Sequence, residues 1–225
     1  MFGANKILPP NFGDGQMLEV THIFPTLQGE GVYVGMPAVF IRLGGCNLAC
    51  EFCDTMFDDF TSMPLPEIME QVHKLSRNDG GARVRNLVVV TGGEPMRQNI
   101  EKLCEALLAA GFTVQIETNG TIYRELPLGV EIVCSPKSTE NGYTPLRPDL
   151  LARVSALKFV ISASDEKYKR VPEIGQSSRN IPVFVQPMDE CDAAKNAANT
   201  QLAVFLAMQR GYRLSLQTHK ILGIE

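Results

Sequence analysis

Val39-Phe40-Ile41-Arg42-Leu43-Gly44-Gly45-Cys46-Asn47-Leu48-Ala49-Cys50-Glu51-Phe52-Cys53 is an apolar, β-branched run that passes through two glycines into a loop carrying three cysteines. Residues 39–43 read as a strand, and the loop has the spacing C-x3-C-x2-C. Three thiolates in so short a stretch can hold three irons of a cubane [4Fe–4S] cluster, leaving one iron without a protein ligand. A four-cysteine set makes an electron carrier, so the missing ligand points to a cluster that binds something. The plainer alternatives are a zinc site short of a ligand or three structural cysteines. Zinc spacings normally come as two close pairs, often with histidine, and the chain has no second pair.

Outward from this loop, short apolar runs alternate with helical patterns. A helix is expected over 65–76, where Ile68, Val72 and Leu75 fall at helical spacing. Leu87-Val88-Val89-Val90 reads as a buried strand, and 100–110 as a helix ended by Gly111. Further strands are expected at 113–116, 131–134, 157–161 and 183–186. A last helix over 192–210 stops at Gly211, and 213–217 reads as a final short strand. Residues 1–17, rich in Gly, Pro and Asn, read as a loose extension. The pattern predicts one α/β domain over 1–225, with a mostly parallel sheet covered by helices. The chemistry-bearing residues all follow strands: Cys46, Thr91-Gly92-Gly93-Glu94-Pro95, Glu117-Thr118-Asn119-Gly120, Ser135-Pro136-Lys137 and Gln186-Pro187-Met188-Asp189. Strand C-terminal ends are where β/α barrels and open α/β sheets hold their sites. At 225 residues the chain is short for an eightfold barrel, so the expected fold is an incomplete, open β/α barrel with the cluster at its mouth.

Bulk properties narrow the class. A net charge of −4 gives no reason to expect nucleic-acid binding, and no apolar run is long enough to span a bilayer. The first residues, Met1-Phe2-Gly3-Ala4-Asn5-Lys6, lack the basic start and apolar core of a signal peptide, so a reducing, cytoplasmic compartment is the expectation. The six cysteines then need not pair. Cys104 and Cys134 fall in apolar patterns and read as small core residues, while Cys191 shares no ligand spacing with any other.

The C-x3-C-x2-C loop followed by a strand ending in Gly92-Gly93-Glu94-Pro95 resembles the radical S-adenosylmethionine enzymes, over nearly the whole chain. The resemblance implies that S-adenosylmethionine chelates the open iron and, on reduction, is cleaved to a 5′-deoxyadenosyl radical. Gly92 and Gly93 permit close backbone approach to a ligand, and Glu94 supplies a carboxylate suited to the cofactor's ammonium. Read alone, Gly-Gly-Glu-Pro is an ordinary strand-to-helix turn with Pro95 opening the helix. The cofactor set that the resemblance implies is Phe52, Cys53, Asp54, Gly93, Glu94, Ser135, Pro136, Lys137, Gln186, Pro187, Met188 and Asp189.

The order TLQGEG (26–31), FIRLGGC (40–46), CDT (53–55), TGGEP (91–95), ETNGT (117–121), SPK (135–137) and QTHK (217–220) closely resembles the 7-carboxy-7-deazaguanine synthase family within that superfamily. Gln28 can donate and accept hydrogen bonds, Glu30 accepts, and Arg42 can clamp a carboxylate with two prongs. Such a set suits a small flat heterocycle bearing an acid; it is equally compatible with a Gly-rich hairpin, a solvated Glu30 and a structural Arg42. The resemblance implies a substrate shell of Leu27, Gln28, Gly29, Glu30, Arg42, Thr91, Glu117 and His219, closed by the end of the chain at Glu225. It implies Cys46, Cys50 and Cys53 as cluster ligands and Thr55 as the single protein ligand of Mg2+, a hard cation suited by oxygen. His73 sits in a helical pattern and reads as solvated. Residues 1–17 have no counterpart in the resemblance.

The implied reaction converts 6-carboxy-5,6,7,8-tetrahydropterin to 7-carboxy-7-deazaguanine with loss of ammonia, in the pathway to queuosine and other deazapurines. The implied partners are a reducing protein such as flavodoxin or ferredoxin and a second copy of the chain. The nearest rival is a glycyl-radical-enzyme activase, which shares the cysteine spacing and the Gly-Gly-Glu strand end. Asn commonly follows its third cysteine, whereas Asp54-Thr55 stands here. A non-catalytic iron–sulfur redox protein is the rival from another class, and its cluster would be indifferent to S-adenosylmethionine.

Overall fold

The computed structural model describes residues 5–140 and 142–225. The strands are β1 (Met17–Leu27), β2 (Pro37–Leu43), β3 (Thr61–Pro64), β4 (Leu87–Gly92), β5 (Thr113–Thr118), β6 (Val130–Cys134), β7 (Val154–Ile161), β8 (Val183–Pro187) and β9 (Arg213–Leu214). Among the described residues these nine form one sheet, ordered β3-β1-β2-β4-β5-β6-β7-β8-β9. β1 runs antiparallel to β2 and β3, and every pairing from β2–β4 to β8–β9 is parallel. The two ends of the order do not meet, so the structure is the incomplete, open β/α barrel that the sequence predicts.

Helices α1 (Leu65–Leu75), α2 (Glu101–Ala109), α3 (Pro148–Leu151), α4 (Ala193–Arg210) and α5 (Thr218–Leu222) complete the fold. In α1, Ile68 and Val72 share a face and are fully buried, and Pro66 sits in the first turn, where its missing N–H is not needed. α4 begins at Asp192, whose carboxylate accepts from the N–H groups of Ala194 (2.9 Å) and Lys195 (3.0 Å). It ends at Gly211, whose left-handed φ of 71° terminates the helix. Leu103, Cys104 and Leu107 of α2 join Ile68, Val72, Val88, Val90 and Ile116 in one large core between sheet and helices.

The opposite face of the sheet lines the barrel interior and changes character along each strand. Ala38, Leu87 and Val89 pack together at one end, as do Val133, Ala156 and Phe184. Two to four residues further on, still on that face because side chains alternate, come Arg42, Thr91, Ser135, Lys158 and Gln186. Register pairs Arg42 with Thr91 across β2–β4; across β7–β8 Gln186 lies opposite Val160, so Lys158 sits one pleat deeper, opposite Phe184. An apolar floor and a polar mouth follow from the period of two.

Four expectations need correction. The strand at 37–43 is the second, because 17–27 already forms β1. Residues 5–16 are not loose: Ile7 bridges Cys46, and the Leu8 N–H donates to the Cys46 carbonyl at 2.7 Å. Residues 1–4 of that segment lie outside the described residues. The helix over 193–210 is not the last, because α5 follows it, and the final strand expected over 213–217 covers only 213–214. Tertiary contacts rather than local periodicity hold these pieces. The α5 start, for example, is tied down by Thr218, whose N–H and hydroxyl both donate to the Gly29 carbonyl at 3.0 Å.

Candidate functional site

A cavity of about 410 Å³ opens at the C-terminal ends of the parallel strands. One wall is the loop after β2. Cys46, Cys50 and Cys53 are free thiols that all line it. The loop is shaped by backbone bonds: the Cys53 N–H donates to the Cys50 carbonyl (3.0 Å), and the Glu94 N–H to the Gly45 carbonyl (3.0 Å). Two N–H groups point at Cys46 Sγ, from Leu48 at 3.4 Å and from the Asn119 amide at 3.9 Å. Burial pushes the Cys46 thiol up to about 11 and also raises Cys50 and Cys53; the neighbouring sulfurs add to the rise at Cys46, and Cys53 adds to that at Cys50. Among the described residues no three such groups converge on a single ion. A cubane, in which each thiolate takes a different iron, does not ask them to.

The strand end after β4 packs directly on this loop. A Cβ on Gly93 would overlap the Gly45 carbonyl, so the glycine serves contact between two backbone segments. Glu94 stands differently from its expected role. Its carboxylate is 0% exposed and accepts from the Thr118 hydroxyl (2.7 Å), the Asn119 N–H (2.7 Å) and the Met96 N–H (3.0 Å). It ties β4 to β5 and, like buried Pro136, does not line the cavity. The rest of the expected cofactor set does: Phe52, Cys53, Asp54, Gly93, Ser135, Lys137, Gln186, Pro187, Met188 and Asp189. The Lys137 ammonium donates to the Ser135 carbonyl (2.6 Å) and hydroxyl (2.7 Å), and burial lowers its pKa.

Every residue of the expected substrate shell lines the same cavity: Leu27, Gln28, Gly29, Glu30, Arg42, Thr91, Glu117, His219 and Glu225. At their centre is Lys158, only 4% exposed. Its ammonium bonds Glu30 and, at 3.1 Å, Glu117. Burial works against the charge on Lys158, but the two carboxylates overcome it and hold the pKa above the usual lysine range. Burial likewise opposes ionisation of Glu30, yet Lys158 and the Gln217 amide (3.0 Å) carry it down to about 2. Gln28 donates to Glu117 at 2.9 Å and accepts from the Glu30 N–H at 3.0 Å. His219 lies over Gly29, where a Cβ would overlap its ring. Glu225 reaches back to β1, its carboxylate 2.9 Å from His22 Nδ1 and its main-chain oxygen accepting from Thr26.

The two walls meet at Thr55. Its hydroxyl donates to Asp54 Oδ1 (3.3 Å) and accepts from Arg42 (3.4 Å). Lys220 of α5 bonds Asp54 and, at 2.8 Å, Asp189, fastening the last helix to the cysteine loop. Sequence reasoning missed Lys158, Lys220, the Gln217 contact and Asn119. Lys158 left a signal, since it is the lone charge in the apolar run 157–161. Lys220 and Gln217 sat inside the QTHK motif without an assigned role.

An open parallel barrel with three free thiols in the loop after its second strand belongs to a class of enzyme built around a cluster and a small cofactor. Residues 40–132 match the family model described as the Radical SAM superfamily. Along its full length the chain is 57% identical to the 7-carboxy-7-deazaguanine synthase of Rickettsia prowazekii, covering 96% of that protein. It is 42% identical to that of Rhodospirillum rubrum, with both chains covered completely. The chain belongs to the 7-carboxy-7-deazaguanine synthase family. The crystal structure of QueE from Escherichia coli superposes with a TM-score of 0.70 at 24% identity, covering 92% of this chain and 99% of that one, and shares the fold.

Proposed function

We infer that this chain is a 7-carboxy-7-deazaguanine synthase, a radical S-adenosylmethionine enzyme that converts 6-carboxy-5,6,7,8-tetrahydropterin to 7-carboxy-7-deazaguanine with loss of ammonia. The observation that carries the reading is the meeting of two unlike walls in one cavity: three free thiols on one side, and a Glu30–Lys158–Glu117 cluster with Gln28 on the other. The thiols suit a [4Fe–4S] cluster by number and by the two N–H donors aimed at the Cys46 sulfur. For Mg2+ the chain offers the Thr55 hydroxyl oxygen beside Asp54, a thin set that leaves most ligands to substrate and water. When bound, these groups supply radical initiation and a Lewis-acid anchor for a carboxylate.

The chain's own residues bind, orient and shield. Glu30, kept ionised by Lys158, and Glu117 present acceptor oxygens to the N–H edge of a pterin, while Gln28 matches a donor and an acceptor together. Arg42 offers its guanidinium to the substrate carboxylate beside Thr55. Phe52, packed edge-on against Tyr168 at 5.2 Å, and Met188 give an apolar flank for the cofactor's adenosine. α5, fastened through Lys220, and Glu225 close the mouth against water.

The source of the electron is a reducing protein such as flavodoxin or ferredoxin, and the compartment is the cytoplasm, where thiols stay reduced. A second copy of this chain is the partner we propose, with the exposed Phe205 and Met208 of α4 as the apolar surface it would cover. Purified chain, reconstituted anaerobically and reduced, should yield 7-carboxy-7-deazaguanine by mass analysis. Cleavage of S-adenosylmethionine with the pterin left unchanged would show the substrate assignment to be wrong.

A further inference from the structure

The segment before β1 reaches the cluster loop itself. Asn5 is buried (7% exposed), and its amide makes three contacts there. Nδ2 donates to the Thr55 carbonyl at 2.8 Å and faces Cys53 Sγ at 3.8 Å, while Oδ1 accepts from the Phe57 N–H at 3.2 Å. The Phe57 contact fixes which end of the amide is oxygen, so both Nδ2 hydrogens are available to the carbonyl and the sulfur. Bonds on either side hold the segment: the Lys6 N–H donates to Asp58 (2.9 Å), the Leu8 N–H to the Cys46 carbonyl (2.7 Å), and Arg97 to the Pro9 carbonyl (3.0 Å).

The placement matters because of what iron binding removes. As a thiol, Cys53 donates its own proton to the Thr55 carbonyl at 3.6 Å. As an iron ligand it is a thiolate with no proton, facing a carbonyl oxygen whose dipole repels it. The Asn5 amide spans the two, keeping the carbonyl partnered and turning an N–H toward the sulfur. A donor to a ligating sulfur draws charge from the cluster and favours its reduced form.

Resting on the functional reading above, we propose that Asn5 is a positioning residue of the cluster site, which sets the reduction potential through the Cys53 sulfur. The segment before β1 thus reaches the redox centre through Asn5, and its far end at Asn11 does not.

The experiment is a mediated redox titration of the reconstituted full chain, followed by the electron paramagnetic resonance of the reduced cluster. Two variants are compared with the native chain. Asn5→Asp keeps the acceptor for the Phe57 N–H and loses the donor; Asn5→Ala loses both. Asn11→Ala, which anchors the same segment at Glu19 away from the sulfurs, is the control. The expected result is full iron content in all chains, a negative shift of midpoint for Asn5→Ala, a larger one for Asn5→Asp with its added charge, and none for Asn11→Ala. An unchanged midpoint in fully loaded Asn5 variants would overturn the proposal. So would failure of both variants to take up iron, because Asn5 would then shape the loop instead of tuning the cluster. Native chain that binds no cluster would instead sink the functional reading.

Discussion

The two walls of the cavity are built on different principles. The wall that we propose faces the pterin carries charges that are already paired: Lys158 of β7 sits between Glu117 of β5 and Glu30, in the turn after β1, within bonding distance of both. The thiol wall is a loop in which burial keeps the cysteines protonated, held by backbone bonds and weak contacts to sulfur. One wall is organised before anything binds, while the other reaches its charged state only as iron displaces protons. On the proposed reading, substrate recognition resides in the fold and radical generation is added to it.

That contrast breaks most sharply at the loop. Cys50→Ala should lose the cluster and abolish turnover while leaving the thermal midpoint of the cluster-free chain nearly unchanged, since Cys50 is a half-buried loop residue. Iron analysis and a melting curve test both halves. Lys158→Met should do the reverse: cluster content stays, but stability falls by about 3–5 kcal/mol because two carboxylates are left without their buried partner. Denaturant midpoints check this, and adding Glu30→Gln should recover part of the loss.

Glu30→Gln alone should lower kcat/KM for the pterin roughly tenfold to a hundredfold, the worth of about 1.5–3 kcal/mol for a hydrogen bond to a charged group. It should also alter acid sensitivity. Glu30 is held at about 2 against an ordinary 4.5. Its contribution to stability is therefore full above pH 4.5 and lost as pH falls toward 2. Urea midpoints of the variant should decline less than those of the native chain across that window. The smallest effect belongs to Lys220→Ala. Its partners Asp54 and Asp189 are partly exposed, so about 1 kcal/mol or less is at stake. A modest rise in KM from a looser α5 is the expected sign.

Much of this was legible in the sequence where one local rule sufficed. Leu87 to Val90 announces a strand covered on both faces, and Asp192 and Gly211 mark the ends of α4. The cysteine spacing put three thiols on one loop, and all three line the cavity. β1 escaped because a bulge between Val20 and His22 shifts its register. Buried Leu18 and Val20 are followed by buried Ile23 and Phe24, and the alternation that signals a strand is broken. Lys158 and Asn5 escaped for a different reason: their partners lie 128 and 50 residues away in sequence. Only the folded register brings them together. Glu94 shows the opposite failure, a motif residue whose carboxylate turned out to join two strands.

The central claim is that the thiol wall holds a cluster open to S-adenosylmethionine in the cavity that takes the pterin. The direct measurement is the electron paramagnetic resonance spectrum of reduced, reconstituted chain before and after S-adenosylmethionine is added, in the native and Lys158→Met proteins. The account predicts the same spectral change in both, with pterin turnover impaired only in the variant. A native spectrum indifferent to S-adenosylmethionine would contradict it and leave a non-catalytic iron–sulfur protein.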